Sequence, residues 1–193
     1  MTHVLRHYLW PAFALLLALT ILLGLVYPVA VTVAAQVAFP SQANGSLIVV
    51  DGHAVGSSLI GQAFSDPKDF SGRPSAAGTD GYDASASGGS QLGPTSKALI
   101  DRISADVDRL RAANGGGPVP VELVTTSASG LDPDISPAAA EYQVNRVAKA
   151  RGVGVDIVRA AVARHTEGSF LGFLGEPRVN VLLLNLDLDG ALG

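Results

Sequence analysis

The chain contains no cysteine, which excludes disulfides, thiolate metal sites and a cysteine nucleophile. That absence names no compartment, because many extracytoplasmic proteins lack disulfides. Charge is scarce as well: Asp, Glu, Lys and Arg make up 16% of the 193 residues. The scarcity is uneven, since none of the four occurs between Arg6 and Asp51. A formal charge of −4 offers no attraction to nucleic acid or to anionic lipid. No internal repeat is visible, and the length suits one ordinary domain plus an anchor.

What fills the charge-free run is Ala, Leu, Val and Ile from Leu9 to about Ala35. A hydrocarbon core of ~30 Å takes roughly 20 helical residues, so residues 9–35 read as a transmembrane helix with some length to spare. Tyr8 and Trp10 suit one interface and Tyr27 or Phe39 the other. Pro28 is expected to kink the helix or mark where it leaves the bilayer. Small residues at Ala14, Ala18 and Gly24 would allow close approach of another helix. The rival reading is a cleaved signal peptide with a small-residue site near Val33-Ala34-Ala35, but such a core is usually about 7–15 residues. Arg6 and the amino terminus, aided by His3 and His7, precede the span, and no Lys or Arg follows until Lys68. The basic side stays inside. Residues 1–8 are therefore expected in the cytoplasm and 36–193 outside, as a compact α+β domain.

Within that domain, Leu47-Ile48-Val49-Val50, Asp51-Gly52 and His53-Ala54-Val55 read as a β-hairpin with a type I′ turn. His53 is a strand residue beside the turn. Ser71 to Ser96 is rich in Gly, Ser, Ala and Pro, a flexible linker or a long ordered loop. Ser96 or Thr95 caps a helix to about Ala113, with Leu99, Ile103, Val107 and Leu110 at helical spacing and Asn114-Gly115 closing it. Val121 to Thr126 is a candidate strand. Ser136-Pro137 starts a helix to about Arg151 that buries Ala140, Val144, Val147 and Ala148. After Gly152 and Gly154, a second helix from Val155 to Thr166 buries Val158, Ala161 and Val162. That pair has the outline of a helix-turn-helix, but the acidic charge and external location argue against DNA. Gly172 to Gly175 is a turn, and Val179 to Leu188 reads as the strongest strand, with a parity switch near Leu183 and Leu184.

The chemistry-bearing patterns are weak. Gly88 to Thr95 has phosphate-loop glycine spacing, but Pro94 stands where that motif needs lysine. Ser127 or Ser129, His165 and Asp132 make a triad only on paper, without nucleophile-elbow spacing. His165 is more simply a capping or interface residue, and Asp132 and Asp134 suit turn and cap roles. Glu176-Pro177-Arg178 is read as an ion pair at a strand entrance. No segment clusters enough Asp, Glu or His for a divalent metal.

Ordered along nearly the whole chain are Tyr27-Pro28, Asn44-Gly45-Ser46-Leu47-Ile48 and Gly56-Ser57-Ser58-Leu59-Ile60-Gly61-Gln62. They are followed by Gly72-Arg73-Pro74-Ser75-Ala76, Ser87-Gly88-Gly89-Ser90-Gln91-Leu92-Gly93-Pro94-Thr95 and Ser127-Ala128-Ser129-Gly130-Leu131-Asp132-Pro133. Ile135-Ser136-Pro137-Ala138-Ala139-Ala140, Tyr142-Gln143, Arg146-Val147-Ala148, Arg151-Gly152 and Leu174-Gly175-Glu176-Pro177-Arg178-Val179-Asn180-Val181-Leu182 complete the series. Together these segments resemble the KdpC subunit of the bacterial high-affinity potassium-transporting P-type ATPase. Two departures stand out: Asp69-Phe70-Ser71-Gly72 is poor in aromatics, and Gln91 and Ser96 stand where Asn is common.

The resemblance implies a non-catalytic accessory subunit of the bacterial inner membrane, single-pass, with its N-terminus cytoplasmic. It implies assembly with a potassium-channel-like subunit, a P-type ATPase subunit and a very small fourth subunit. The family is described as needed for complex assembly and as a catalytic chaperone that raises the ATP affinity of the pump. No cofactor is expected on this chain, and ATP is implied only through the ATPase partner. With the domain outside and the ATP site inside, such an effect has to travel through subunit contacts as a coupling free energy. Candidate partner-interface or loop-ordering residues are Arg73, Ser90, Gln91, Gly93, Pro94, Ser129, Asp132, Gln143, Arg146 and Arg178. The competing readings are a membrane-tethered extracytoplasmic hydrolase, and a solute-capturing module using carbonyls of the glycine-rich loop.

Overall fold

The charge-free run folds as one helix, α1 (Arg6–Ala38), in a computed structural model that describes residues 5–190. His3 and the terminal amine, part of the orientation argument, lie outside the described residues. At 33 residues, α1 measures about 50 Å, more than the ~30 Å hydrocarbon core. It contains the whole 9–35 stretch. None of its most apolar window is buried by protein, so its apolar surface is left for lipid or other helices.

Pro28 does not end the helix. A residue without an N–H leaves one carbonyl of the preceding turn unbonded. Here the turn Leu22–Val26 widens, and the Tyr27 N–H reaches back five residues to the Leu22 carbonyl. The distortion is absorbed one turn before the proline, and the helix continues to Ala38. Phe39 breaks it, and the short helix α2 (Pro40–Ala43) follows. The Gln36 and Asn44 side-chain amides then pair, with bonds of 3.2 and 3.1 Å.

The chain divides into two compact units, Met1–Leu47 and Ile48–Gly193. The hairpin β1 (Leu47–Val50) and β2 (His53–Ser57) has the expected turn: Asp51 and Gly52 both have positive φ, 50° and 79°. Helix α3 (Lys97–Asn114) ends at Gly115, whose φ of 84° is the left-handed cap expected after Asn114. Its buried Leu110, with Ile103 and Val107 packed on the core, is the apolar face read from the spacing.

The core is built on four helices and a small sheet. Helix α4 (Pro137–Arg151) starts where Ser136 Oγ accepts the Ala139 N–H at 3.2 Å. It buries Ala139, Ala140, Gln143, Val144, Val147 and Ala148, one face at helical spacing. Helix α5 (Val155–Arg164) buries Val158, Ala161 and Val162 against it. Alanine at four of these nine positions keeps the two helices close. The strands β3 (Asp134–Ile135), β4 (Thr166–Glu167) and β5 (Arg178–Asn180) form an antiparallel sheet in the order β3-β5-β4. Val179 sits at its centre, opposite both Ile135 and Thr166.

Two expected strands are corrected. Val121–Leu123 is a single tight turn after Pro120. Leu123 and Val124 are both buried though adjacent, which a half-buried strand cannot do. Val179–Leu188 is a strand for only two residues and then becomes α6 (Val181–Leu188). The switch is made by Asn180, whose Oδ1 accepts the Leu183 N–H at 3.1 Å. The parity change near Leu183 is the helical period: Val181, Leu182, Leu184 and Asn185 are the buried set. The domain is α+β, as expected, with more helix than the pattern promised.

Candidate functional site

The Gly/Ser-rich stretch 71–96 resolves the choice between linker and ordered loop. Its first half is an ordered loop, held by side chains from three directions. Arg73 enters beneath it: one guanidinium nitrogen lies 3.1 Å from Asp132 Oδ2, and another donates to the Thr126 carbonyl at 3.2 Å. Its Nε is buried without a partner. Tyr82 folds back and donates its hydroxyl to the Arg73 carbonyl at 2.5 Å. Burial, and then the nearby Asp132 carboxylate, push the Tyr82 phenol above its ordinary pKa, so it stays a donor. Ser75 Oγ donates to the Gly130 carbonyl at 2.5 Å and accepts the Ala77 and Tyr82 N–H groups at 3.1 and 2.7 Å.

The 127–132 loop is the other wall. The Ser129 carbonyl accepts from Gly88 N–H at 2.8 Å and from Ser87 Oγ at 3.0 Å. Ser129 Oγ accepts the Leu131 N–H, and Asp132 Oδ1 accepts the Asp134 N–H, each at 3.1 Å. Gly130 has a φ of 68°, and a Cβ there would stand 2.7 Å from the Gly88 carbonyl oxygen and 2.8 Å from Ala77 N. Glycine is required on both grounds.

Beneath this cluster two buried amides read the backbone of Phe70 and Ser71. Asn185 accepts the Phe70 N–H at 2.8 Å and donates to its carbonyl at 3.0 Å. Gln143 does the same for Ser71, at 2.9 and 3.0 Å. Each side chain stands in for a neighbouring strand. Arg146 completes the support. It donates to the carbonyls of Pro67 and Asp69 at 2.6 and 3.0 Å, to Asn114 Oδ1 at 3.1 Å and to Gln143 Oε1 at 2.7 Å. Burial lowers its pKa, Asp69 raises it and Arg109 lowers it again. Arg109 and Arg146 border a cleft of about 570 Å³ with Phe64 and Asp66, yet Arg146 is committed to the loop. Arg151 adds a bond to the Lys68 carbonyl at 2.7 Å and an ion pair with Asp69 at 3.0 Å.

The ten candidate residues therefore divide. Arg73, Ser129, Asp132, Gln143 and Arg146 converge on one loop system. Ser90, Gln91, Gly93 and Pro94 lie on its outer half, where Gln91, Gly93 and Pro94 are exposed and Gln91 has a φ of 54°. Arg178 stands apart, on the sheet. The expected Glu176–Arg178 ion pair is replaced by Glu167 at 2.7 Å and Asp134 at 3.3 Å, because strand pairing sets Arg178 opposite Glu167. Burial raises the Asp134 carboxyl despite Arg178 and Asn180. Tyr82, Ser75, Asn185 and Arg151 were missed as site residues. Asn185 was hidden by the strand reading of its segment; in helical register it falls on the buried face.

The triad drawn on paper does not form. His165, at the end of α5, lies 3.1 Å from Asp187, which also holds Arg164 at 2.7 Å. Asp132 holds Arg73, and Ser127 is buried. No Ser–His hydrogen bond links these residues among those described. Nor is there a group of three or more His, Cys, Asp or Glu side chains able to hold a metal among the described residues.

Residues 9–190 match the family model described as K+-transporting ATPase, c chain. A potassium-transporting ATPase KdpC subunit of Sorangium cellulosum is 61% identical over 186 residues, covering 95% of this chain and 98% of the relative. The KdpC subunits of Koribacter versatilis and Rhodopseudomonas palustris are 60% and 57% identical, covering 89% and 94% of this chain and 88% and 96% of theirs. With the match running from the apolar helix through the loop cluster to α6, the chain belongs to the KdpC family.

Proposed function

We propose that this chain is the membrane-anchored accessory subunit of an ATP-driven potassium transporter, and that it works by holding the complex together. Its span sits in the bacterial inner membrane with residues 1–8 cytoplasmic, and the domain from residue 36 onward is extracytoplasmic. The partners are a channel-like potassium-binding subunit, a P-type ATPase subunit and a very small fourth subunit. The chain itself performs no catalytic step. Its effect on nucleotide affinity is a coupling free energy transmitted through subunit contacts.

The observation that carries this reading is where the polar side chains are spent. Arg73, Gln143, Arg146 and Asn185 each bond to the backbone of the 66–77 and 126–132 segments. That effort shapes a surface and exposes no reactive group. The outer half of the loop, Gln91 to Pro94, is the part left for a partner. The test is nucleotide binding to the full chain alone and to the assembled transporter. Tight ATP binding should require the ATPase subunit and strengthen when this chain joins it. Micromolar, competable binding to the chain alone would overturn indirect coupling.

A further inference from the structure

Inside α1 one backbone carbonyl is left without a donor. The Leu23 carbonyl has two N–H groups in helical reach, those of the residues four and five places on. The first, Tyr27 N–H, is bonded to the Leu22 carbonyl in the widened turn Leu22–Val26. The second does not exist, because residue 28 is proline. Side chains of α1 do not replace them. A helical threonine hydroxyl bonds to carbonyls about three or four residues before itself, which takes Thr20 back to Leu16 or Leu17 and Thr32 back to Pro28 or Val29. Tyr27 is 62% exposed and carries its hydroxyl at the far end of the ring, past the backbone. The peptide that bears the carbonyl is also uncovered. It joins Leu23 to Gly24, the one glycine of α1, and nothing stands within 4 Å of where a Gly24 Cβ would be. A span takes about 20 residues, and windows of that length in Arg6–Ala38 all contain Leu23 and Gly24. The carbonyl therefore lies in hydrocarbon, where a bare acceptor is costly.

We propose that the Leu23 carbonyl is the seat of an interhelical hydrogen bond, and that its partner is a transmembrane helix of another subunit carrying a side-chain hydroxyl or carboxamide donor at that depth. The proposal rests on the reading that α1 spans the membrane as part of an assembled transporter. Elimination selects the occupant. Lipid tails have no donor. A second copy of this chain, inserted in the same direction, presents Ile21 to Val26 at the depth of Leu23, and no side chain in that run can donate. A donor from a different helix remains, and Gly24 lets that helix come close. The unpaired carbonyl thus fixes both the depth of the contact and the chemistry of the group that meets it.

The test is solid-state NMR of the full chain carrying carbon-13 at leucine carbonyls and nitrogen-15 at glycine. Carbon–nitrogen correlation then reports only Leu–Gly peptides, and Leu23–Gly24 is the one such peptide in α1. Gly24→Ala assigns its peak by removing it. For the chain alone in phosphatidylcholine vesicles, the proposal expects the carbonyl shift of a peptide without a hydrogen bond. In the assembled transporter that shift should move downfield into the bonded range. A bonded shift in the chain alone overturns the proposal. If it persists on dilution with lipid, the donor is water or lies within the chain; if it is lost, the donor is a second copy. An unbonded shift in the assembled transporter also overturns it, and leaves the subunit reading standing. Failure of the chain to enter the transporter takes both readings down. Pro28→Ala supplies a second arm, because it restores an N–H, closes the regular helix and pairs the carbonyl within the chain. In competition with tagged wild type it should enter the transporter about three- to tenfold less, the range of one hydrogen bond between membrane helices. Equal incorporation overturns the proposal.

Discussion

Replacing Gln143 with methionine tests the loop-ordering mechanism at its most buried point. Gln143 is 0% exposed, and methionine keeps its length and volume, so cavity costs stay small. The change removes the acceptor for Ser71 N–H at 2.9 Å and for the Arg146 guanidinium at 2.7 Å. It also removes the donor to the Ser71 carbonyl at 3.0 Å. Each buried group left unpaired costs about 1–3 kcal/mol, with a charged partner at the upper end. Ser71 is only half-buried, and water will recover part of that loss. A destabilisation of about 2–4 kcal/mol is expected. The assay is urea unfolding of the full chain in mild detergent, followed by circular dichroism, with Gln91→Met as the exposed control. Hydrogen exchange at Phe70 and Ser71 should quicken more than exchange in α5. A Gln143→Met midpoint matching that of Gln91→Met would refute the claim that the amide pair orders the loop.

Gly130→Ala should cost about 2–4 kcal/mol, from the positive φ together with a clash against the Gly88 carbonyl, where Gly115→Ala, with open space around it, bears the backbone cost alone; unfolding midpoints compare them. Asn180→Ala should cost roughly 1–2 kcal/mol by removing the α6 cap and the bond to the Ser58 carbonyl, and helicity lost at the α6 amides on hydrogen exchange would localise it. For pH, the Arg164 hydrogen bond, joined by one from His165, holds the Asp187 carboxyl below the ordinary range. Its stabilisation is therefore present above about pH 4 and lost as pH falls through the lowered folded value. Asp187→Asn should flatten that part of the acid unfolding profile. Asp134 has the opposite sign: burial raises it, so its contribution is lost as pH rises through the raised value. Asp134→Asn should therefore relieve a loss that wild type shows on going from acid toward neutral pH.

The readable parts of this fold were those whose cause is local. Asp51-Gly52 fixes its hairpin through two positive φ angles, and Ser136-Pro137 and Gly152 bound α4 through capping chemistry within four residues. The apolar helix was legible from composition. The misread segments were short apolar runs, where a buried helix and a buried strand look alike until the cap is recognised. At 179–188 the deciding residue, Asn180, was visible but unweighted. The candidate site was legible in part for a different reason. Arg73, Asp132, Gln143 and Arg146 were marked, but their bonds join residues 59, 72 and 77 positions apart. No periodicity encodes such pairs. The use of Gln143 and Asn185 as substitute strands follows only from the folded backbone.

The central claim is that the chain works as a bound part of a larger membrane complex. Purification of the tagged full chain in mild detergent from membranes expressing the transporter tests it most directly. The account predicts that the channel-like and P-type ATPase subunits co-purify in fixed ratio, and that potassium-stimulated ATP hydrolysis elutes with them. A monodisperse single chain, with the other subunits intact and active in a separate fraction, would contradict it.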